Sequence, residues 1–192
     1  MIEKEYLAIA TIIFWPVIPL FWIPVHFAIG FFKKLGLLTY AMPLFTWLPV
    51  AYFIFQNRSS FVSYKTALPM GVNIIGIVLL VCGAVLHMWT AKLLGVGIIG
   101  VPEIFIKMKE HIVTGGPFSL VRHPTYLSHT LIFSGVFLIT GVKAVGILTV
   151  LDLIVINLII IPLEEKELLH RFGEGYQQYK RDVPSRFFPW IR

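Results

Sequence analysis

Five long stretches nearly free of charge dictate what this chain can become. Residues 6–32, 35–57, 69–91 and 124–142 contain no Asp, Glu, Lys or Arg, and 144–163 contains only Asp152. Each is close to the ~20 residues a helix needs to cross a bilayer. Hydrocarbon offers the backbone no hydrogen-bond partners, so such stretches must fold as helices that satisfy themselves. The expected fold is all-α: a polytopic integral membrane protein with five transmembrane helices and a C-terminal cytosolic helix or tail. One membrane-embedded domain over 1–192 is expected, because the 92–123 connector and the 164–192 tail are too short for cores of their own. With hydrophobic residues at 57% and charged residues at 14%, the composition lies outside the range of soluble domains.

Prolines and charges subdivide the five stretches. Pro16, Pro19 and Pro24 kink or divide the first, and Pro43 and Pro49 do the same to the second. Residues 6–32 are too long for a signal-peptide core and follow no basic region, so this stretch is expected to stay attached. Only Lys143 separates the last two stretches, which predicts a tight helical hairpin. A loop at Lys33-Lys34, the connector and the tail together hold twelve of the sixteen basic residues. The positive-inside rule then puts these three regions in the cytosol and the N-terminus outside.

The net charge of +6 does not point to nucleic acid, because the basic residues flank apolar stretches and form no stripe interleaved with aromatics. Cys82 is the single cysteine, which rules out disulfides within the chain and thiolate metal sites. His26 and His87 have no ligand-spaced partners, so no metal is expected. Gly95-Val96-Gly97-Ile98-Ile99-Gly100 matches G-x-G-x-x-G, but it follows a spanning stretch, and no acid occurs at 111–122 to hold a ribose. A flexible helix exit is the better reading.

Chemistry concentrates in two polar knots. Arg122-His123-Pro124-Thr125-Tyr126 opens the fourth stretch, and Glu164-Glu165-Lys166-Glu167 follows the fifth. If both stretches span, the knots return to one side and meet there. Charges at a membrane boundary are costly unless paired or used, so their convergence predicts a site. Asp152 lies deeper, where a hydrogen bond to a neighbouring helix is expected. His129, one turn beyond Tyr126, either lines the site or fills the core. In the tail, a helix from Glu164 should loosen at Gly173 and Gly175. A second amphipathic turn through Tyr176, Tyr179 and Val183 should then stop at Pro184. Phe187, Phe188 and Trp190 suit the membrane interface.

Several of these residues carry a family resemblance. His111-Ile112-Val113-Thr114-Gly115-Gly116-Pro117-Phe118 and Arg122-His123-Pro124-Thr125-Tyr126 resemble the core of the isoprenylcysteine carboxyl methyltransferases. So do Glu164-Glu165-x-x-Leu168, Phe172-Gly173-x-x-Tyr176-x-x-Tyr179 and Val183-Pro184. The resemblance spans roughly 103–190 and suggests a prokaryotic member. It implies S-adenosylmethionine as cofactor and S-adenosylhomocysteine as product. The cofactor would be held by Glu103, His111, Ile112, Val113, Phe118, His123, Pro124, Thr125, Tyr126 and Glu164. Arg122, Tyr126 and Glu165 would act at the reacting centre.

Methyl transfer from a sulfonium requires positioning and charge balance rather than a covalent enzyme intermediate. A glutamate can hold the cofactor's amino group, the face of Tyr126 can attract the sulfonium, and Arg122 can fork onto a carboxylate. The expected reaction is O-methylation of a carboxylate on a lipophilic, isoprenylcysteine-like acceptor, in a monomer surrounded by lipid. Phospholipid or amine N-methylation is the alternative, in which a base must first take a proton. An NADPH-dependent sterol-type reductase would need an arginine cluster, whereas the connector offers only Arg122. A transporter would place its polar groups at the midplane rather than at one membrane face.

Overall fold

The computed structural model describes residues 2–95 and 112–188. The protein is all-helical, 83% helix, with no strand among the described residues. The N-terminal half comprises α1 (Ile2–Phe14), α2 (Ile23–Phe27), α3 (Ile29–Leu35), α4 (Met42–Gln56) and α5 (Arg58–Val62). The C-terminal half comprises α6 (Met70–Leu94), α7 (Pro124–Thr140), α8 (Lys143–Val155), α9 (Ile161–Phe172) and α10 (Glu174–Asp182).

Four continuous helical paths are long and apolar enough to cross a membrane: Lys4–Phe27, Ile29–Gln56, Met70–Leu94 and Lys143–Phe172. The fourth expected span is α7, which at 17 residues is shorter than these four. Their surfaces are those of a protein in lipid. Ile74, Ile75, Ile77, Val78, Val81 and Val85 of α6 are all exposed, an apolar area that no soluble monomer would leave to water. This is an integral membrane protein.

The proline-rich stretches bend without breaking. The first path passes through a π-helical turn at Ile18–Trp22, beside Pro19 and Pro24, before α2. The last widens likewise at Ile156–Ile160, just before Pro162, whose missing N–H removes one helical hydrogen bond. Lys33 and Lys34, expected in a loop, lie instead in α3. The chain breaks before it at Ala28, and after it, at Gly36 with φ +56°, α-helix gives way to a 3-10 stretch, Gly36–Ala41, that leads on into α4. Glycine at that left-handed C-cap ends the helix where the sequence shows only two charges.

The tightest helix pair is α6 against α7. A Cβ on Gly135 would stand 2.6 Å from the backbone nitrogen of Leu80, and one on Gly83 would stand 2.9 Å from the Ser128 carbonyl. Small residues that let backbones touch drive helix association in lipid, where apolar burial gains little. The predicted hairpin between α7 and α8 is present and turns at Gly141, φ +65°. The Thr66 N–H donates to the Gly141 carbonyl at 2.8 Å, and the Lys143 N–H donates to Tyr64 at 2.9 Å, pinning the turn to the 64–66 segment. Asp152, buried on α8, accepts a hydrogen bond from the indole of Trp15 at 3.0 Å, the interhelical bond expected of it.

Candidate active site at the connector–tail junction

The 3-10 turn Gly116–Ser119 leads into Val121-Arg122-His123, and Pro124 then starts α7 at a position where a missing N–H costs nothing. The tail runs alongside. The Arg122 N–H donates to the Ser185 carbonyl at 3.0 Å, and the His123 N–H donates to Arg186 at 3.1 Å. The tail helix ends at Gly173 and a second amphipathic helix follows, as expected, but Gly175, expected to loosen the chain, lies inside α10. Gly173 takes a φ of +51°, and α10 buries Tyr176 and Tyr179 against Phe118 and Val183. The Tyr179 hydroxyl donates to the Phe118 carbonyl at 2.7 Å, so the ring of Phe118 packs beneath the tail. Ile112 and Val113 pack on the same cluster. Phe187, expected at the interface, is buried against Ile18, Ile156, Ile160 and Ile161, because the tail folds back onto the bundle.

Glu165 organises the site. Its Oε1 accepts from Arg122 Nε at 3.0 Å and lies 3.4 Å from His123 Nε2. Its Oε2 accepts from Lys180 at 2.9 Å and from Arg186 at 3.5 Å. Arg122 Nη1 donates to the carbonyls of Val183 and Pro184, both at 2.7 Å. Arg122 and Glu165 therefore form a buried ion pair that ties the connector to the tail, with their side chains 7% exposed each.

Beside this pair is a second carboxylate with spare capacity. Glu164 Oε2 lies 3.4 Å from His123 Nδ1, an ion-pair distance without hydrogen-bond geometry. It is buried and lacks a hydrogen-bond partner among the described residues, as do Thr125 Oγ1 and the Tyr176 hydroxyl. The imidazole of His123 stacks on the ring of Tyr126, with centroids 5.8 Å apart. Burial disfavours the imidazolium of His123, but Glu164 and Glu165 outweigh it and raise its pKa above the usual value. The Tyr176 hydroxyl is pushed upward by burial first and then by the charges of Glu165 and Glu164. Buried polar atoms are normally satisfied, so unpartnered ones mark where a polar ligand would bind.

Of the residues expected at the site, Phe118, Arg122, His123, Pro124, Thr125, Tyr126, Glu164 and Glu165 converge here, and Ile112 and Val113 adjoin them. Glu103 and His111 lie outside the described residues. Lys180 and Arg186 had registered only as orientation charges, and nothing in the sequence singled them out as partners of Glu165. Glu167 also finds a distant partner, accepting from His26 Nδ1 at 3.0 Å across 141 positions of sequence. His129 lies in an aromatic row, its ring 5.2 Å from that of His87 and 6.3 Å from that of Tyr126. No group of metal-ligating residues occurs among the described residues.

A polytopic helical bundle with a charged, partly unsatisfied cluster at one end has the layout of a membrane-embedded enzyme. The chain belongs to the phospholipid methyltransferase family, whose pattern matches residues 72–175, more than half its length. It is therefore an integral membrane methyltransferase by family. The matched region contains the connector, the Arg-His-Pro-Thr-Tyr run and the glutamates. No curated protein matches the chain, and no solved structure does.

Proposed function

We propose that the protein transfers a methyl group from S-adenosylmethionine to the head-group amine of a lipid acceptor, at the cytosolic face of a five-span bundle. The observation that carries this reading is the pair of glutamates with opposite fates. Glu165 is fully occupied by Arg122, His123, Lys180 and Arg186, whereas the Glu164 Oε2 beside it is buried without a hydrogen-bond partner among the described residues and has only His123, at 3.4 Å, within ion-pair distance.

The residues fit the cofactor. A free carboxylate oxygen suits an ammonium, and the unpartnered hydroxyls of Thr125 and Tyr176 suit other polar groups of the same ligand. On the side away from His123, the ring of Tyr126 offers an electron-rich face to a cation. When bound, S-adenosylmethionine supplies an activated methyl on a sulfonium. The protein's part is to hold the acceptor in line, keep water out and balance charge. Arg122 and Glu165 do this indirectly, by locking the tail over the connector.

An amine acceptor is preferred because the role that favoured a carboxylate is filled. Clamping an anionic acceptor was assigned to Arg122, but its Nε and Nη1 are engaged by Glu165, Val183 and Pro184. The carboxylate of Glu164 suits an ammonium better. The family's phospholipid description supports the same choice.

The test uses purified protein in phosphatidylethanolamine vesicles with methyl-labelled S-adenosylmethionine, and the extracted lipid is then treated with alkali. N-methyl label should stay with the lipid head group. Label released as volatile methanol would mark an ester and return the carboxylate reading.

A further inference from the structure

The family pattern begins at residue 72, yet the N-terminal half also reaches the site. His26, at the end of the first path, has a side chain only 5% exposed and bonds Glu167 through Nδ1 at 3.0 Å. Its Nε2 is buried and has no hydrogen-bond partner among the described residues. Trp22 stacks on the ring, with centroids 5.7 Å apart and planes at 17°. Glu167 lies one helical turn from Glu164 on α9, so the same face of that helix carries His123 on Glu164, at 3.4 Å, and His26 on Glu167.

We propose that His26 and Glu167 form the general base that deprotonates the acceptor ammonium. This inference rests on the amine reading above and adds the residue that performs its required proton transfer. A carboxylate that accepts from one imidazole nitrogen fixes the tautomer and leaves the other as a free lone pair. That arrangement is present here, with Glu167 on Nδ1, an unpartnered Nε2, and Glu164 one helical turn from Glu167 on α9. An ammonium held by Glu164 passes its proton to His26 Nε2. The lone pair so freed on nitrogen attacks the methyl carbon, and the carbon–sulfur bonding pair returns to sulfur. The proton stays on His26, stabilised by Glu167, until it leaves to water. Trp22 holds the imidazole in plane and offers the methylated cation a π-face.

The elements packed against α2 are α3, α9 and the two π-helical turns. Beyond Glu167 itself, α9 carries Glu164, Glu165, Lys166, His170 and Arg171, and the π-helical turns carry no ionisable group. Lys33 and Lys34 on α3 carry the neighbouring positive charge.

The test compares wild type with His26→Ala and His26→Gln, the glutamine keeping a donor for Glu167. S-adenosylhomocysteine binding is measured by calorimetry, and N-methylation of phosphatidylethanolamine is followed across pH. Both variants should bind S-adenosylhomocysteine as wild type does. Their kcat should fall about 100-fold, the low end of general-base contributions. The remaining rate should climb tenfold per pH unit, as hydroxide replaces the base, and added imidazole should restore part of it in His26→Ala. Variant kcat within threefold of wild type, or a loss of S-adenosylhomocysteine binding that matches the loss of rate, would overturn the proposal. Failure of the amine reading is recognised separately, because wild type itself would then produce alkali-labile label.

Discussion

At the scale of single residues, burial decides what each charge does. Glu165 and Arg122 are both largely withdrawn from solvent, so removing Glu165 strands Arg122 at a cost of about 3–5 kcal/mol, whereas removing Arg122 leaves Glu165 its other cations but cuts the bonds to the Val183 and Pro184 carbonyls. Glu165→Gln and Arg122→Ala should each lower the melting temperature in detergent and cut activity at least ~100-fold by releasing the tail. Glu164→Gln should lower the melting temperature less than either, through its share of the His123 interaction, and should weaken S-adenosylhomocysteine binding in calorimetry. Equal thermal losses in all three variants would erase the distinction between anchor and ligand.

His123 adds a dependence on pH. Its folded pKa lies above the unfolded value, so the charged form stabilises the fold. That contribution is complete below the usual histidine value of about 6.5 and disappears as pH rises through the elevated folded pKa. Thermal stability should therefore decline from neutral into mildly alkaline conditions, and His123→Asn should flatten that decline. A decline of equal size in the variant would assign the effect to another group.

At the scale of elements, backbone contact between α6 and α7 sets the frame on which the Arg-His-Pro-Thr-Tyr run is mounted. The would-be Cβ of Gly135 meets backbone at 2.6 Å and 2.7 Å, which no rotamer change can relieve. Gly135→Ala should destabilise the protein by about 1–3 kcal/mol through overpacking. Gly71→Ala, on the same pair of helices but with nothing within 4 Å of its Cβ, should not. Melting curves of the two variants make the comparison, and similar curves would mean that the helices can separate without loss. The last path shows a related compromise. Its π-helical turn lets Pro162 sit inside a membrane-length helix and still deliver Glu164 and Glu165 one turn later.

At the scale of the whole molecule, the proposed five-span topology requires the Lys143 turn and the tail to lie on opposite sides. In a Cys82→Ser background, Lys143→Cys and Gln177→Cys should react with an impermeant thiol reagent from opposite faces of intact cells. Labelling from one face alone would remove the Lys143–Phe172 path as a span.

The sequence by itself determined that the chain is helical, lies in a membrane, turns sharply near Lys143 and brings two polar knots toward each other. Those properties reside in segments of about twenty residues, where uninterrupted apolar character and helix-ending glycines act locally. Residues 118–126 and 164–165 were legible as a site because charged side chains beside spanning segments are rare enough to stand out. Only the tertiary structure decided who pairs with whom. It gave Arg122 to Glu165, bound Glu167 to His26, set Trp15 on Asp152 and folded Phe187 into the core. A helix in lipid is apolar all round, so its sequence carries no amphipathic stripe to show which face meets which neighbour. Those choices depend on backbone fit at glycines and on hydrogen bonds between groups more than a hundred residues apart, which become definite only when the bundle closes.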